Sequence, residues 1–117
     1  MSMLPTAVSD GQAMIVLVTA GSAENAEAIA RALVSERLAA CVNVLSGLRS
    51  IYQWQGDVKS DAEWMLVIKT ERSRFEAVEA RVRSLHAYEL PEVIAIDVVK
   101  GSAPYLDWLL GAVSASG

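Results

Sequence analysis

The stretch SLHAYELPEVIA, residues 84–95, carries the only histidine of the chain, His86, with Tyr88, Glu89 and Glu92 close behind it. An imidazole beside two carboxylates and a phenol has three chemical uses. It can ligate a transition metal, for which neutral imidazole is the commonest protein donor. It can move a proton, or it can tie down a polar corner through its two ring nitrogens. One histidine is not a metal centre, which needs three or four nitrogen, sulfur or oxygen donors converging at bonding distance. Further donors would be Glu89 or Glu92 of an adjacent chain, symmetry copies of His86, or Cys41, a soft Cu(I) ligand. The competing account of His86 is a structural residue lining a pocket. That of Cys41 is a small buried hydrophobe, the commonest fate of an unpaired cysteine.

Lys69 ends an apolar run in phase with Glu63, Met65 and Val67. A lysine beside so apolar a strand calls for a carboxylate, and Glu89 is the expected partner. Tyr52, Trp54, Lys69, Tyr88 and Glu89 are therefore predicted to line a cleft between subunits, suited to a small anionic or zwitterionic ligand. The alternative is a structural ion pair at a subunit seam. No nucleophile elbow, phosphate loop or Cys-plus-His hydrolase signature accompanies these residues. Asp97 has no acid partner to make it a useful base, so the expectation is a protein that is not an enzyme and requires no cofactor.

The elements that must position these groups follow from periodicity. Residues 14–20, MIVLVTA, are apolar enough for a strand buried on both faces. Ser22 caps a helix whose stripe is Ala26, Ile29, Ala30 and Leu33. Residues 39–55 read as extended chain bent at Ser46-Gly47, Gly56-Asp57 as a turn, and 62–70 as a strand. Ser73 with Glu76 forms a capping box ahead of a helix with the stripe Phe75, Val78, Val82 and Leu85. Residues 92–100 form the fourth strand, and Gly101-Ser102 opens a last helix that tolerates Pro104 in its first turn. The order β-α-β-β-α-β plus a helix predicts an α+β, ferredoxin-like split β-α-β sandwich with an antiparallel sheet. Residues 1–12 read as a flexible arm and 13–117 as one domain.

Composition narrows the partners. A chain of 117 residues, 53 % hydrophobic and 21 % charged, folds as a single domain. A net charge of −4 with scattered basic residues argues against nucleic acid. The longest apolar run, 13–18, is too short for a bilayer, no secretory leader is visible, and a single cysteine suits a reducing compartment. The expected location is the cytoplasm.

Two features make one chain incomplete. As one strand, 39–55 would span about 55 Å at ~3.3 Å per residue, whereas a ~100-residue domain has a radius of gyration near 13 Å. Part of that strand and its return must overhang, carrying Tyr52 and Trp54 into need of a neighbour. The last helix has one apolar stripe of Leu106, Leu109, Leu110 and Val113 and a second of Tyr105, Trp108 and Ala112. Only one of them can cover its own sheet, which puts Trp54, Tyr105 and Trp108 at a subunit interface. Aromatics at such spacing are more often core or interface anchors than cofactor clamps.

The blocks ACVNVLSGLRSIYQWQG (40–56), LVIKT (66–70), HAYELPEV (86–93) and YLDWL (105–109) resemble the CutA family of divalent-ion tolerance proteins. The resemblance runs from Met14 to Leu110. It implies a ferredoxin-like cytoplasmic homotrimer of PII-like shape whose long strands cross between subunits. It also implies a role in tolerance of copper and other divalent cations, with copper binding in some members and a link to acetylcholinesterase anchoring in an animal one. Copper-binding members use a first-strand cysteine and a histidine pair before the tyrosine; Val18 and Leu85 stand in those places here, and Ala87 replaces the usual proline. That leaves His86 and Cys41 as the metal candidates. The alternatives are a PII-like sensor of a small molecule held between subunits, and a stable scaffold for protein partners.

Overall fold

The computed structural model describes residues 11–114. β1 (Ala13–Ala20) leads through Ser22 into α1 (Ala23–Ser35), followed by β2 (Cys41–Trp54), β3 (Asp57–Glu71), a 3-10 turn (Arg72–Arg74), α2 (Phe75–Leu85), β4 (Ile94–Asp97) and α3 (Ala103–Val113). The sheet order is β2-β3-β1-β4 with every pairing antiparallel, the order of the split β-α-β arrangement. The Ser22 hydroxyl accepts from Asn25 N at 3.1 Å and starts α1 as expected.

Alternation divides the sheet between two sets of helices. Val16, Val18, Leu66 and Ile68 point to one face, where they bury against Ala26, Ile29 and Leu33 of α1 and Val78 and Val82 of α2. The other face is built of cross-strand rows: Ile96–Ile15–Lys69–Cys41, Ile94–Leu17–Val67–Asn43, and Thr19–Met65–Leu45. α3 lies over one end of it, where Lys69 Nζ stands 5.8 Å from the centroid of the Tyr105 ring. Leu109 and Val113 of α3 are buried, and Arg74 Nε donates to Val113 O at 2.8 Å to hold the helix end. Among the described residues nothing covers the rest of this face in the single chain: Ile94 is 52 % exposed and Ile96 54 %.

β1 reaches only as far as Trp64 on β3, so 57–63 pair with β2 alone. This two-stranded arm stretches the molecule to 54 × 28 × 25 Å and its radius of gyration to 15.3 Å. A compact chain of this size would have a radius of about 13 Å. The irregularity between Leu45 and Leu48 falls on Ser46-Gly47, with Gly47 at φ +81°. Its extra residue switches which side chains of β2 share the face of Glu63. Before it they are Cys41, Asn43 and Leu45; after it, Leu48, Ser50, Tyr52 and Trp54. The arm closes at Gln55-Gly56, one residue earlier than the predicted turn. Both residues have positive φ, +53° and +87°, as a two-residue hairpin turn matched to strand twist requires.

Several expected boundaries move. β3 extends back to Asp57, because the polar run 57–61 finds its hydrogen bonds in β2. β4 covers only 94–97 of the predicted 92–100. Continuing its register would set Glu92 opposite Thr19, but the Thr19 carbonyl is taken by His86; at the other end β1 runs out, and Ala13 O accepts Val98 N. The capping box does not form. Ser73 lies inside the 3-10 turn and donates to Glu71 Oε1 at 2.6 Å, and α2 begins at Phe75 without a side-chain cap. Gly11 and Gln12, assigned to the arm, are tied to the domain: Arg72 N donates to Gln12 O, and Gln12 Nε2 reaches Val98 O. The remainder of the expected arm lies outside the described residues.

Candidate functional site

The loop joining α2 to β4 folds back across the end of β1. His86 Nε2 is 2.7 Å from Thr19 O, and Tyr88 N donates to His86 Nδ1 at 3.0 Å. A ring nitrogen that accepts carries no proton, so the imidazole is neutral and donates through Nε2. Asn25 makes the second fastening: its Nδ2 donates to Leu85 O and its Oδ1 accepts from Ala87 N, both at 3.0 Å. The loop is thereby held at both ends of the His86 turn, and Tyr88 is laid onto Gly21. A Cβ at Gly21 would stand 2.7 Å from the Tyr88 hydroxyl; glycine is needed there for close approach and not for backbone conformation.

Placed in this way, Tyr88 donates to Glu63 Oε2 at 2.7 Å. Glu63, only 8 % exposed, projects from the base of the arm. Farther out on the same face, the Tyr52 hydroxyl donates to Asp61. Between arm and loop opens a cleft of about 630 Å³. The arm supplies Ser50, Ile51, Tyr52, Trp54 and Glu63, the loop Tyr88, Glu89, Leu90 and Glu92, and β1 Thr19. Its titratable groups show the excess of acid. Burial, the bond to Glu63 and the surrounding negative charge push the Tyr88 phenol up to about 12. The Tyr52 phenol is raised chiefly by its bond to Asp61. Glu92 is raised by partial burial and then by the charge of Glu63. Among the described residues none of Asp61, Glu63, Glu89 and Glu92 is in an ion pair. Lys59, which shares their face by register, forms none either.

Tyr52, Trp54, Tyr88 and Glu89 thus come together, and Lys69 does not join them. It lies opposite Cys41 and under Tyr105, six residues or about 20 Å along β3 from Glu63 at ~3.3 Å per residue. Its expected pairing with Glu89 is not made within the chain, because strand phase puts a residue on a face but says nothing of its distance from a loop. Cys41 is half-buried beside Lys69, while His86 sits at Thr19, opposite Met65. That separates the two metal candidates by four residues of β3, about 13 Å at the same rise. Among the described residues no three His, Cys, Asp or Glu side chains gather closely enough to hold a metal ion. Trp54, Tyr105 and Trp108 are 47 %, 42 % and 52 % exposed, the last two in ring contact at 5.5 Å. Trp64 packs against the main core.

Asn25, Gly21 and Glu63 join the site only in the folded chain. A signal existed for Glu63, which is in phase with the same apolar run that singled out Lys69 and therefore needed a partner for the same reason. Gly21 reads only as part of the break after the first strand, and Asn25 carries no comparable signal.

A four-stranded split β-α-β sheet with an overlong central hairpin and a third helix on its second face defines an α+β protein of CutA architecture. The comparisons make this definite. The family described as CutA1 divalent ion tolerance protein matches residues 14–112, and the chain belongs to that family. It is 50 % identical over 95 residues to the divalent-cation tolerance protein CutA of Thermus thermophilus, covering 81 % of this chain and 92 % of that protein. It is 44 % identical over 96 residues to the chloroplastic protein CutA of Arabidopsis thaliana, covering 82 % of this chain but 53 % of that one. A solved structure of the Thermus thermophilus divalent cation tolerance protein superposes with a TM-score of 0.84 at 48 % identity, covering 86 % of this chain and 97 % of that one. Among the described residues no helix is long and apolar enough to cross a membrane.

Proposed function

We propose that the chain acts in tolerance of divalent cations as a cytoplasmic homotrimer of PII-like shape, without catalysing a reaction and without a resident cofactor. The carrying observation is the unsupported arm. Seven residues of β3 pair with β2 alone, and an isolated two-stranded ribbon is at best marginally stable in water. Ile51 on the arm is 70 % exposed and Val58 72 %, and the second sheet face leaves Ile94, Ile96, Tyr105 and Trp108 open. A neighbour that takes the arm against that face answers both deficits, and a head-to-tail contact of this kind yields a ring of three when its rotation is about 120°.

In this reading metal binding, copper included, is weak. A metal at His86 must displace the bond to Thr19 O or the one from Tyr88 N, and Cys41 is too distant to assist. Light scattering is expected to give about three times the chain mass of 12.5 kDa; a monomer at micromolar concentration would refute the assembly. Calorimetry with Cu(II) and Zn(II) on wild type and His86→Ala is expected to show weak binding of similar strength in the two. Tight binding lost with His86 would restore a metal centre there. A second reading, a small molecule held in the cleft, is favoured by the size of the cleft and the exposed aromatic rings that wall it.

A further inference from the structure

Resting on the second reading, we propose that the cleft between the arm and the 86–92 loop binds an organic cation, a primary ammonium carried on an apolar stem. The sequence predicts a site for an anion or zwitterion because it assigns Lys69 to the cleft. With Lys69 of the same chain about 20 Å away along β3, no basic side chain among the described residues of the chain lines the cavity, while Glu63, Glu89 and Glu92 do. An anion would be repelled by three carboxylates.

The choice between a metal ion and an organic cation turns on how the acids are spread. A hard divalent cation takes six or more oxygens drawn in to about 2.0–2.6 Å. Here the carboxylates come from separate elements and do not gather into a group that could hold an ion. One oxygen of Glu63 accepts the Tyr88 hydroxyl, and Asp61 is engaged by Tyr52. Between the acids stand Tyr52, Trp54 and Tyr88, exposed in the single chain by 41 %, 47 % and 38 %, together with Leu90; Trp54 is also the residue expected at the subunit seam, so the cleft is one that the seam borders. Aromatic faces attract an ammonium placed within about 6 Å of their centroids. A cavity of about 630 Å³ is far larger than a bare ion needs and falls in the usual range for small organic ligands. The ammonium belongs beside the buried carboxylate of Glu63, with Glu92 nearer the mouth, and the stem runs out between Leu90 and Trp54.

The test is isothermal titration of the full chain with phenethylamine, with 2-phenylethanol as its neutral isostere and 3-phenylpropionate as an anion, alongside amide NMR mapping. Saturable binding of the amine alone is expected, with shifts at the Trp54 indole and at Tyr88 to Glu92. Glu63→Gln and Glu92→Gln should each weaken it at least about tenfold. Glutamine preserves an acceptor for Tyr88, and Glu92→Gln serves as the independent variant where Glu63→Gln perturbs folding. Equal binding of the alcohol, shifts elsewhere, or no loss in a folded variant would overturn the proposal. So would a cleft that takes no amine but whose Gln variants shift the scattering mass downward, because its cation would then be a basic side chain of a neighbouring copy. Scattering of the wild type reads the trimer separately, so failure of the assembly and failure of the site remain distinct.

Discussion

Gly21→Ala should destabilise the protein through Tyr88 and through nothing else. Gly21 is not in the left-handed region, so alanine meets no backbone strain there. Such a replacement ordinarily stabilises by about 0.4–1 kcal/mol, by narrowing the unfolded ensemble. The added methyl, however, would lie 2.7 Å from the Tyr88 hydroxyl and 3.2 and 3.3 Å from Cε1 and Cζ of its ring. The ring can swing away, but only by giving up its hydrogen bond to Glu63. Hydrogen bonds to charged groups contribute about 1.5–3 kcal/mol, and partial exposure of Tyr88 favours the lower end. The net is a loss of about 1 kcal/mol, or roughly 4 °C in Tm for a domain of this length. In a Tyr88→Ala background the obstacle is gone and the sign reverses, so that Gly21→Ala stabilises by about 0.4–1 kcal/mol. The assay is a double-mutant cycle by urea melts at fixed protein concentration, since assembly links stability to concentration. A cost for Gly21→Ala of the same size and sign in both backgrounds would refute the argument.

Asn25→Ala removes both fastenings of the 85–87 backbone and should cost about 1–3 kcal/mol, with faster amide exchange at Ala87 and Tyr88. Glu92→Gln tests the acid excess. A carboxyl whose folded pKa is raised favours the fold while protonated and loses that contribution as pH rises from its unfolded pKa through its folded one. The variant should therefore match wild type near pH 3 and melt higher at pH 7; an equal or lower Tm at pH 7 would count against it. Gln55→Asn places a residue tolerant of positive φ at the first turn position and should stabilise by a few tenths of a kcal/mol in the same melts.

Much of this protein could be read from its residues because the signals are local. The stripe Ala26, Ile29, Ala30, Leu33 and the stripe at Val78 and Val82 are buried as periodicity predicts. Ser22 caps, and Ser46-Gly47 breaks the long strand where bend residues stand. Even the overhang was accessible, since a fixed rise per residue and a compact size cannot both hold for 39–55. Local signals failed where a distant group competes. Ser73 and Glu76 satisfy the spacing of a capping box, yet Ser73 donates to Glu71. The polar run 57–61 looks like loop and is strand because β2 satisfies its backbone.

For the site, the sequence by itself selected Tyr52, Trp54, Tyr88 and Glu89, residue types that stand out on an extended arm and in a loop rich in polar groups. Only the tertiary structure decided what they surround. Lys69 and Glu63 are alike in sequence terms, both charged and in phase on one apolar strand, and a strand of given phase extends over tens of ångströms. Which of the two meets the 86–92 loop depends on where that loop crosses β1. That is set by His86 on the Thr19 carbonyl, by Asn25 across Leu85 and Ala87, and by a glycine bare enough to seat Tyr88. The loop crosses at the Glu63 end, and the cleft is acidic for that reason.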